Sequence, residues 1–153
     1  MKISPLVDSR IAEFLLVEDN EDDVFLTRAA FESSGLRVNL HHVNNGEKCL
    51  KFLRNEAPYE DSPFPDLILL DMHMPVMGGH EVLSEIVKDE NLRHIPVVVL
   101  TTSYEAADVQ KMYNLRCSSF ISKPVNFDNF VKAIGQLAGY WLTVVVVPGA
   151  TKN

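Results

Sequence analysis

The sequence predicts an α/β protein in which five parallel strands alternate with five helices. Short, continuously apolar runs such as Phe14–Val17 and Val97–Leu100 are typical of strands that are covered on both faces of a sheet. Between such runs lie stretches whose apolar residues recur at helical spacing, as Val82, Leu83 and Ile86 do. Alternation of the two patterns predicts a parallel sheet with helices on both faces.

Each element has its own signal in the chain. The predicted strands are Phe14–Val17, Val38–Val43, Leu67–Leu70, Val97–Leu100 and Phe120–Ile121. The apolar faces of the helices lie between Val24 and Phe31, Cys49 and Leu53, Val82 and Val87, Ala106 and Leu115, and Phe127 and Trp141. Acidic residues 21–23 favour the N-terminus of the first helix, Gly35 ends it, and the proline-rich segment 58–65 predicts a loop. Right-handed crossovers then favour a flavodoxin-like (βα)5 sheet in the order 2-1-3-4-5.

Composition narrows the class of protein. The 153 residues suit one domain, and 46% hydrophobic with 23% charged residues is typical of a globular protein. A net charge of −7 argues against nucleic acid or an anionic membrane as the main partner. Two cysteines do not make a disulfide scaffold, and the first ten residues contain no apolar segment of a signal peptide. We therefore expect a cytoplasmic protein with no membrane span.

Polar residues follow four of the predicted strands. Glu18 and Asp19 follow the first strand, Asp71 the third, Thr101 the fourth and Lys123 the fifth. The carboxyl ends of parallel strands share one edge of a sheet, so we expect these side chains to converge there. Carboxylate oxygens suit Mg²⁺, and a carboxylate beside Mg²⁺ can accept a phosphoryl group.

Four sequence blocks in this order resemble the signatures of the CheY-like receiver domain of two-component response regulators. The blocks are Leu16–Asn20, Asp66–Asp71 with Pro75 and Gly78–Gly79, Val99–Thr102, and Phe120–Pro124. The resemblance places a receiver domain at residues 11–142, after an N-terminal arm at 1–10 and before a C-terminal extension at 143–153. It implies a signalling domain that takes a phosphoryl group from a sensor histidine kinase, and not an enzyme.

The same resemblance implies a role for each site residue. Asp71 would be the phosphoacceptor, and Mg²⁺ would be held by Asp19, Asp71, the backbone carbonyl of His73 and, through water, Glu18. Lys123 and Thr101 would bind the phosphoryl group while Phe120 rotates inward, which changes the surface of the fourth helix, fifth strand and fifth helix. Accessory positions are Thr102, Ser103 and Pro124, the last after a cis peptide bond.

The end of the chain resembles a narrower group, the response regulators paired with bacterial and cyanobacterial phytochrome histidine kinases. Four consecutive valines would be an aggregation hazard if they were exposed. The resemblance implies a homodimer through the changed surface and the extension, in phytochrome light signalling. The residues expected at this interface are Trp141, Leu142, Val144, Val145, Val146 and Val147.

Other classes of function fit the sequence less well. A Mg²⁺-dependent phosphatase of the haloacid dehalogenase type would need an acid two positions after Asp71, where His73 stands. A monomeric receiver of the chemotaxis type differs only in its output. Adjacent strand residues His41 and His42 point to opposite faces and cannot share a metal ion.

Overall fold

The computed structural model describes residues 11–101, 106–117, 119–122 and 126–143. The strands are β1 (Ala12–Val17), β2 (Val38–Val43), β3 (Leu67–Asp71), β4 (Val97–Thr101) and β5 (Ser119–Ser122). The helices are α1 (Glu21–Ser34), α2 (Gly46–Leu53), α3 (Gly79–Lys88), α4 (Ala106–Asn114) and α5 (Phe127–Thr143). All strand pairs are parallel and the order is β2-β1-β3-β4-β5, which confirms the predicted fold class.

The sheet separates two hydrophobic cores. Leu15 and Val17 of β1 face the core that α2 and α3 cover, whereas Phe14 and Leu16 face the core that α1 and α5 cover. Both sets of side chains are buried, so the residues that face either core must be apolar. This explains why the central strands appear in the sequence as continuous apolar runs.

Strand β1 begins two residues earlier than predicted. The additional residues include the charged Glu13, which has partners on the neighbouring strand β2. Ala12 pairs with Val38 and Glu13 with Asn39 in the β1–β2 register. The carboxylate of Glu13 accepts hydrogen bonds from the side-chain amide of Asn39 and from Nε2 of His41. Its backbone N–H donates to Oδ2 of Asp66 at 2.8 Å. These contacts keep a polar residue inside the strand.

Both ends of α1 are capped, and the C-terminal cap is the predicted Gly35. Asn20 precedes the helix and its Oδ1 accepts a hydrogen bond from the backbone N–H of Asp23 at 3.0 Å. Gly35 follows it with φ = 74°, a left-handed conformation that glycine adopts without steric cost. Together these caps fix where the chain leaves β1 and where it returns to β2.

The proline-rich segment 58–65 is a loop, as predicted, and it is attached to the core by aromatic side chains. Tyr59 and Phe64 pack against the α2–α3 core. The arm at 1–10 and the extension beyond residue 143 lie outside the described residues. Within the described part of the chain, no helix has both the length and the apolar character to cross a bilayer.

Candidate functional site

Three carboxylates meet at the carboxyl edge of the sheet. Glu18 and Asp19 directly follow β1, and Asp71 is the last residue of β3. Val17 pairs with Leu70, so the residues that follow this pair stand side by side on neighbouring strands. One carboxylate oxygen of each of the three residues lies within 4.8 Å of the others. Convergence of these acids, predicted from their positions at the strand ends, is therefore found in the structure.

The environment of the three acids is uneven. Glu18 and Asp71 are buried, with 1% and 5% of their surface exposed to solvent, whereas Asp19 is exposed. Negative charges this close repel one another, and the repulsion is stronger where water is excluded. A cluster of hard oxygen donors with one solvent-facing member fits a divalent cation such as Mg²⁺, which prefers oxygen ligands and keeps several waters. The residues present therefore fit a metal of this kind.

Hydrogen bonds at Glu18 hold the turn from β1 into α1. Its backbone N–H donates to the carbonyl oxygen of Val43 at 3.1 Å, which extends the β1–β2 ladder by one residue. Its Oε2 accepts from the backbone N–H of Asn20 at 3.4 Å. Its carbonyl oxygen lies 2.8 Å from Nε2 of His42. The acidic pair is thus carried on a turn that is fixed from both sides.

The end of β3 is fixed by close backbone packing. The N–H of Met72 donates to the carbonyl oxygen of Leu100 at 3.1 Å, and the N–H of Gly79 donates to the carbonyl oxygen of Met72 at 2.9 Å. A Cβ atom at Gly79 would lie 2.5 Å from the carbonyl oxygen of Asp71. Only glycine lets the start of α3 approach this closely, so the backbone around Asp71 has little room to move.

The loop between β3 and α3 contains a conformation that is unusual for its residue. Val76 has φ = 70°, in the left-handed region that β-branched side chains avoid, and it is 97% exposed. The loop borders a surface cavity of about 500 Å³ between the start of α3 and α4. His73, two residues after Asp71, is exposed and lines this cavity.

Thr101 lies at the same edge as the acids. It is the last residue of β4 and is fully buried. Asp71 pairs with Leu100, so Thr101 stands one residue beyond Asp71 on the neighbouring strand. This is where the sequence predicted a hydroxyl.

Other predicted site residues can be placed only in part. Phe120 lies in β5, where its backbone is paired with Val99, but its side chain is outside the described part of the chain. Trp141 and Leu142 belong to the last turn of α5, with the same restriction on their side chains. The predicted positions outside the described residues are Thr102, Ser103, Lys123, Pro124, Val144, Val145, Val146 and Val147.

The sequence did not predict the contact of His42 with the acidic turn. Alternation along β2 predicts that His41 and His42 point to opposite faces, and they do. His41 pairs with Glu13 on one face, whereas His42 contacts the carbonyl of Glu18 on the other. Finding the second contact requires the β1–β2 register, in which His42 is paired with Leu16.

Comparison with known proteins identifies the class. The sequence model of the family named response regulator receiver domain matches residues 14–135 of this chain. The response regulator Rcp1 of Synechocystis is 38% identical over 136 residues, which are 89% of this chain and 92% of that protein. The chain therefore belongs to the response regulator receiver domain family, as the four sequence blocks predicted.

Solved structures narrow the relationship. The phosphorylated cyanobacterial phytochrome response regulator RcpA has a TM-score of 0.86 and 34% identity, over 92% of this chain and all of that one. The Mn²⁺-bound form of Rcp1 has a TM-score of 0.82 and 36% identity, over 90% of this chain and 99% of that one. The resemblance to phytochrome response regulators predicted from the sequence is thus confirmed at the level of relatives.

Proposed function

We propose that this receiver domain accepts a phosphoryl group on Asp71 from the phosphohistidine of a sensor kinase. One carboxylate oxygen of Asp71 forms a bond to phosphorus, the phosphorus–nitrogen bond of the donor breaks, and the departing imidazole nitrogen takes up a proton from solvent. The observation that carries this proposal is the meeting of Asp71 with Glu18 and Asp19 at the carboxyl edge of the sheet. Phosphoryl transfer depends mainly on such positioning and on neutralisation of charge.

Mg²⁺ is the metal that we propose for this site. Asp19 and Asp71 would bind it directly, with the backbone carbonyl of His73, while Glu18 would act through water. When bound, the cation supplies positive charge to the phosphoryl oxygens. Support comes from the set of oxygen donors within 4.8 Å and from the Mn²⁺-bound structure of the relative Rcp1.

The proposed switch involves residues around the acids. Thr101 and Lys123 would bind phosphoryl oxygens, and Phe120 would turn inward behind Thr101. Thr102, Ser103 and Pro124 are accessory positions in this proposal. The burial of Thr101 beside the end of β3 supports its part, because movement of a buried hydroxyl must be accompanied by movement of its neighbours.

The partner that we propose is a histidine kinase of the bacterial phytochrome type, and the output a homodimer through α4, β5, α5 and the C-terminal extension. Receiver residues 11–142 would then carry the site, with an arm at 1–10 and the extension at 143–153. Support comes from the similarity to RcpA, a cyanobacterial phytochrome response regulator whose structure covers 92% of this chain. Trp141, Leu142 and the valines from Val144 to Val147 are the proposed contacts.

Phosphorylation with a small phosphodonor tests the central claim. The protein incubated with acetyl phosphate and Mg²⁺ should take up one phosphoryl group that is acid-stable and labile to hydroxylamine. Asp71→Asn should lose it, whereas Asp66→Asn should keep it. Asp66 is a matched control because it is a buried carboxylate just before β3. Its side chain accepts a hydrogen bond from the backbone N–H of Glu13, and the amide oxygen of asparagine can accept the same bond. Labelling of Asp71→Asn, or repeated turnover of a phosphate ester, would contradict the proposal.

The partner and the dimer need separate measurements. Phosphotransfer from a panel of purified kinases should be fastest from a phytochrome kinase, and equal rates from unrelated kinases would contradict that assignment. Sedimentation equilibrium at tens of micromolar should give a dimer. A monomer with and without phosphorylation would contradict the proposed assembly.

A further inference from the structure

We propose that His42 is a positioning residue for the metal site, acting through the backbone of the acidic turn. The inference rests on the proposed function, because it assigns a role at the same Mg²⁺ site. Its basis is the 2.8 Å contact between Nε2 of His42 and the carbonyl oxygen of Glu18. His42 itself contributes no ligand.

The register of the sheet explains how the ring reaches this carbonyl. His42 is paired with Leu16, and Glu18 lies two residues farther along the chain, just after the end of β1. Side chains of neighbouring paired residues stand on the same face and lean along the strand, so the imidazole extends past Val17 toward the turn. Strand β2 ends at Val43, and the chain then turns into α2. The imidazole supplies a donor beside β1 where the regular strand pairing ends.

The contact defines which ring nitrogen donates. A carbonyl oxygen can only accept, so Nε2 of His42 carries a hydrogen and donates it to the carbonyl oxygen of Glu18. The peptide group between Glu18 and Asp19 is then held through its carbonyl by His42, while the N–H of Glu18 is held by Val43.

Holding this peptide group matters for the ligands on either side of it. Rotation of the peptide group between Glu18 and Asp19 would move both carboxylates relative to Asp71, which is fixed by the packing of Gly79. Groups that orient metal ligands typically contribute about 10- to 100-fold to metal affinity. His42 acts on the backbone and not on a ligand atom, so we expect a value near the lower limit.

Metal binding measured without any phosphodonor tests the inference. Mn²⁺ is the probe, and the electron paramagnetic resonance signal of free Mn²⁺ reports its dissociation constant. His42→Phe keeps a ring but removes the donor, and should weaken binding about tenfold. His42→Gln places its amide nitrogen where Nε2 lies and should restore most of the affinity. His42→Asn places its amide near the Nδ1 position. This side chain is too short to reach the carbonyl of Glu18, so the variant should not restore the affinity.

His41→Phe is the matched control. It removes the neighbouring ring, whose partner is Glu13 on the other face of the sheet. It should lower the melting temperature while leaving the Mn²⁺ dissociation constant unchanged. A loss of affinity equal to that of His42→Phe would mean that stability alone controls binding, and would overturn the inference.

The remaining outcomes separate this inference from the proposed function. Failure of the unmodified protein to bind Mn²⁺ would refute the proposed metal site and the role of His42 with it. Binding by the unmodified protein with equal affinity in His42→Phe would overturn the role of His42 alone. If His42→Phe does not fold, equal affinities of His42→Gln and His42→Asn would overturn it instead.

Discussion

Removal of the charge of Asp19 should raise the stability of the metal-free protein and abolish most of its response to Mg²⁺. Two unit charges at 4.8 Å, the upper limit of the separations in the cluster, repel by roughly 3 kcal/mol at an effective dielectric of about 20, and by about 1 kcal/mol in water. Asp19 is exposed, so the lower figure applies to its pairs with Glu18 and Asp71. Asp19→Asn should therefore stabilise the metal-free protein by about 1–2 kcal/mol, or about 2–8 °C in melting temperature for a chain of this size.

The response to metal follows from mass action. A ligand at ten times its dissociation constant that binds only the folded state stabilises it by about 1.4 kcal/mol. Mg²⁺ at that level should raise the melting temperature of the unmodified protein by about 3–6 °C, and that of Asp19→Asn by much less. Calorimetry at low ionic strength, with EDTA and with increasing Mg²⁺, measures both effects, and low salt keeps screening small.

Asp22→Asn is the control, because it removes an exposed carboxylate from the first turn of α1, outside the cluster. It should lower the stability slightly, since acidic groups favour a helix N-terminus, and it should keep the full response to Mg²⁺. A lower stability of Asp19→Asn than of the unmodified protein without metal would contradict the repulsion among the three acids. A full rise of the melting temperature of that variant with Mg²⁺ would contradict the role of Asp19 as a metal ligand.

Two further predictions concern the stability contributed by residues that are not members of the acidic cluster. Val76→Gly should raise the free energy of unfolding by about 0.5–1 kcal/mol, because it relieves a left-handed φ costing about 1–2 kcal/mol and loses part of this gain to chain entropy. Val76→Ala keeps a Cβ, so its free energy of unfolding should rise by less. If urea unfolding shows the same increase for Val76→Ala as for Val76→Gly, the explanation is contradicted. Burial raises the pKa of the Cys49 thiol from 9.0 to about 12, so the unfolded chain loses this proton first as the pH rises. The free energy of unfolding should fall between pH 9 and about 12, by up to about 1.4 kcal/mol per pH unit, and urea titrations of Cys49→Ala should lack this contribution; identical pH slopes would disprove it.

The strands and the acidic cluster could be predicted because both depend on short-range patterns. A buried parallel strand is a continuous apolar run, and its polar terminus marks the carboxyl edge of the sheet. Glu18, Asp19 and Asp71 were assigned to one edge on this basis, and the structure brings them together. The predicted start of β1 was wrong by two residues, since the pattern does not show that Glu13 has partners on β2.

Features that depend on three-dimensional register could not be predicted in this way. The contact of His42 with Glu18 requires the pairing of two strands about 25 residues apart, which no local pattern specifies. The left-handed φ of Val76 is equally hidden, because valine is among the residues least suited to it. Both features lie beside the site, where local rules are most often broken.

The acidic cluster contains residues from the ends of two neighbouring strands, β1 and β3, that are distant from each other in the sequence. Asp19 and Asp71 are 52 positions apart in the sequence (71 − 19 = 52), and α1, β2 and α2 all lie between them. No fragment that ends before β3 contains the three carboxylates. If the proposed metal site is correct, capture of the metal during refolding would report the docking of β3 onto β1, a long-range event, and would not report the formation of any single helix.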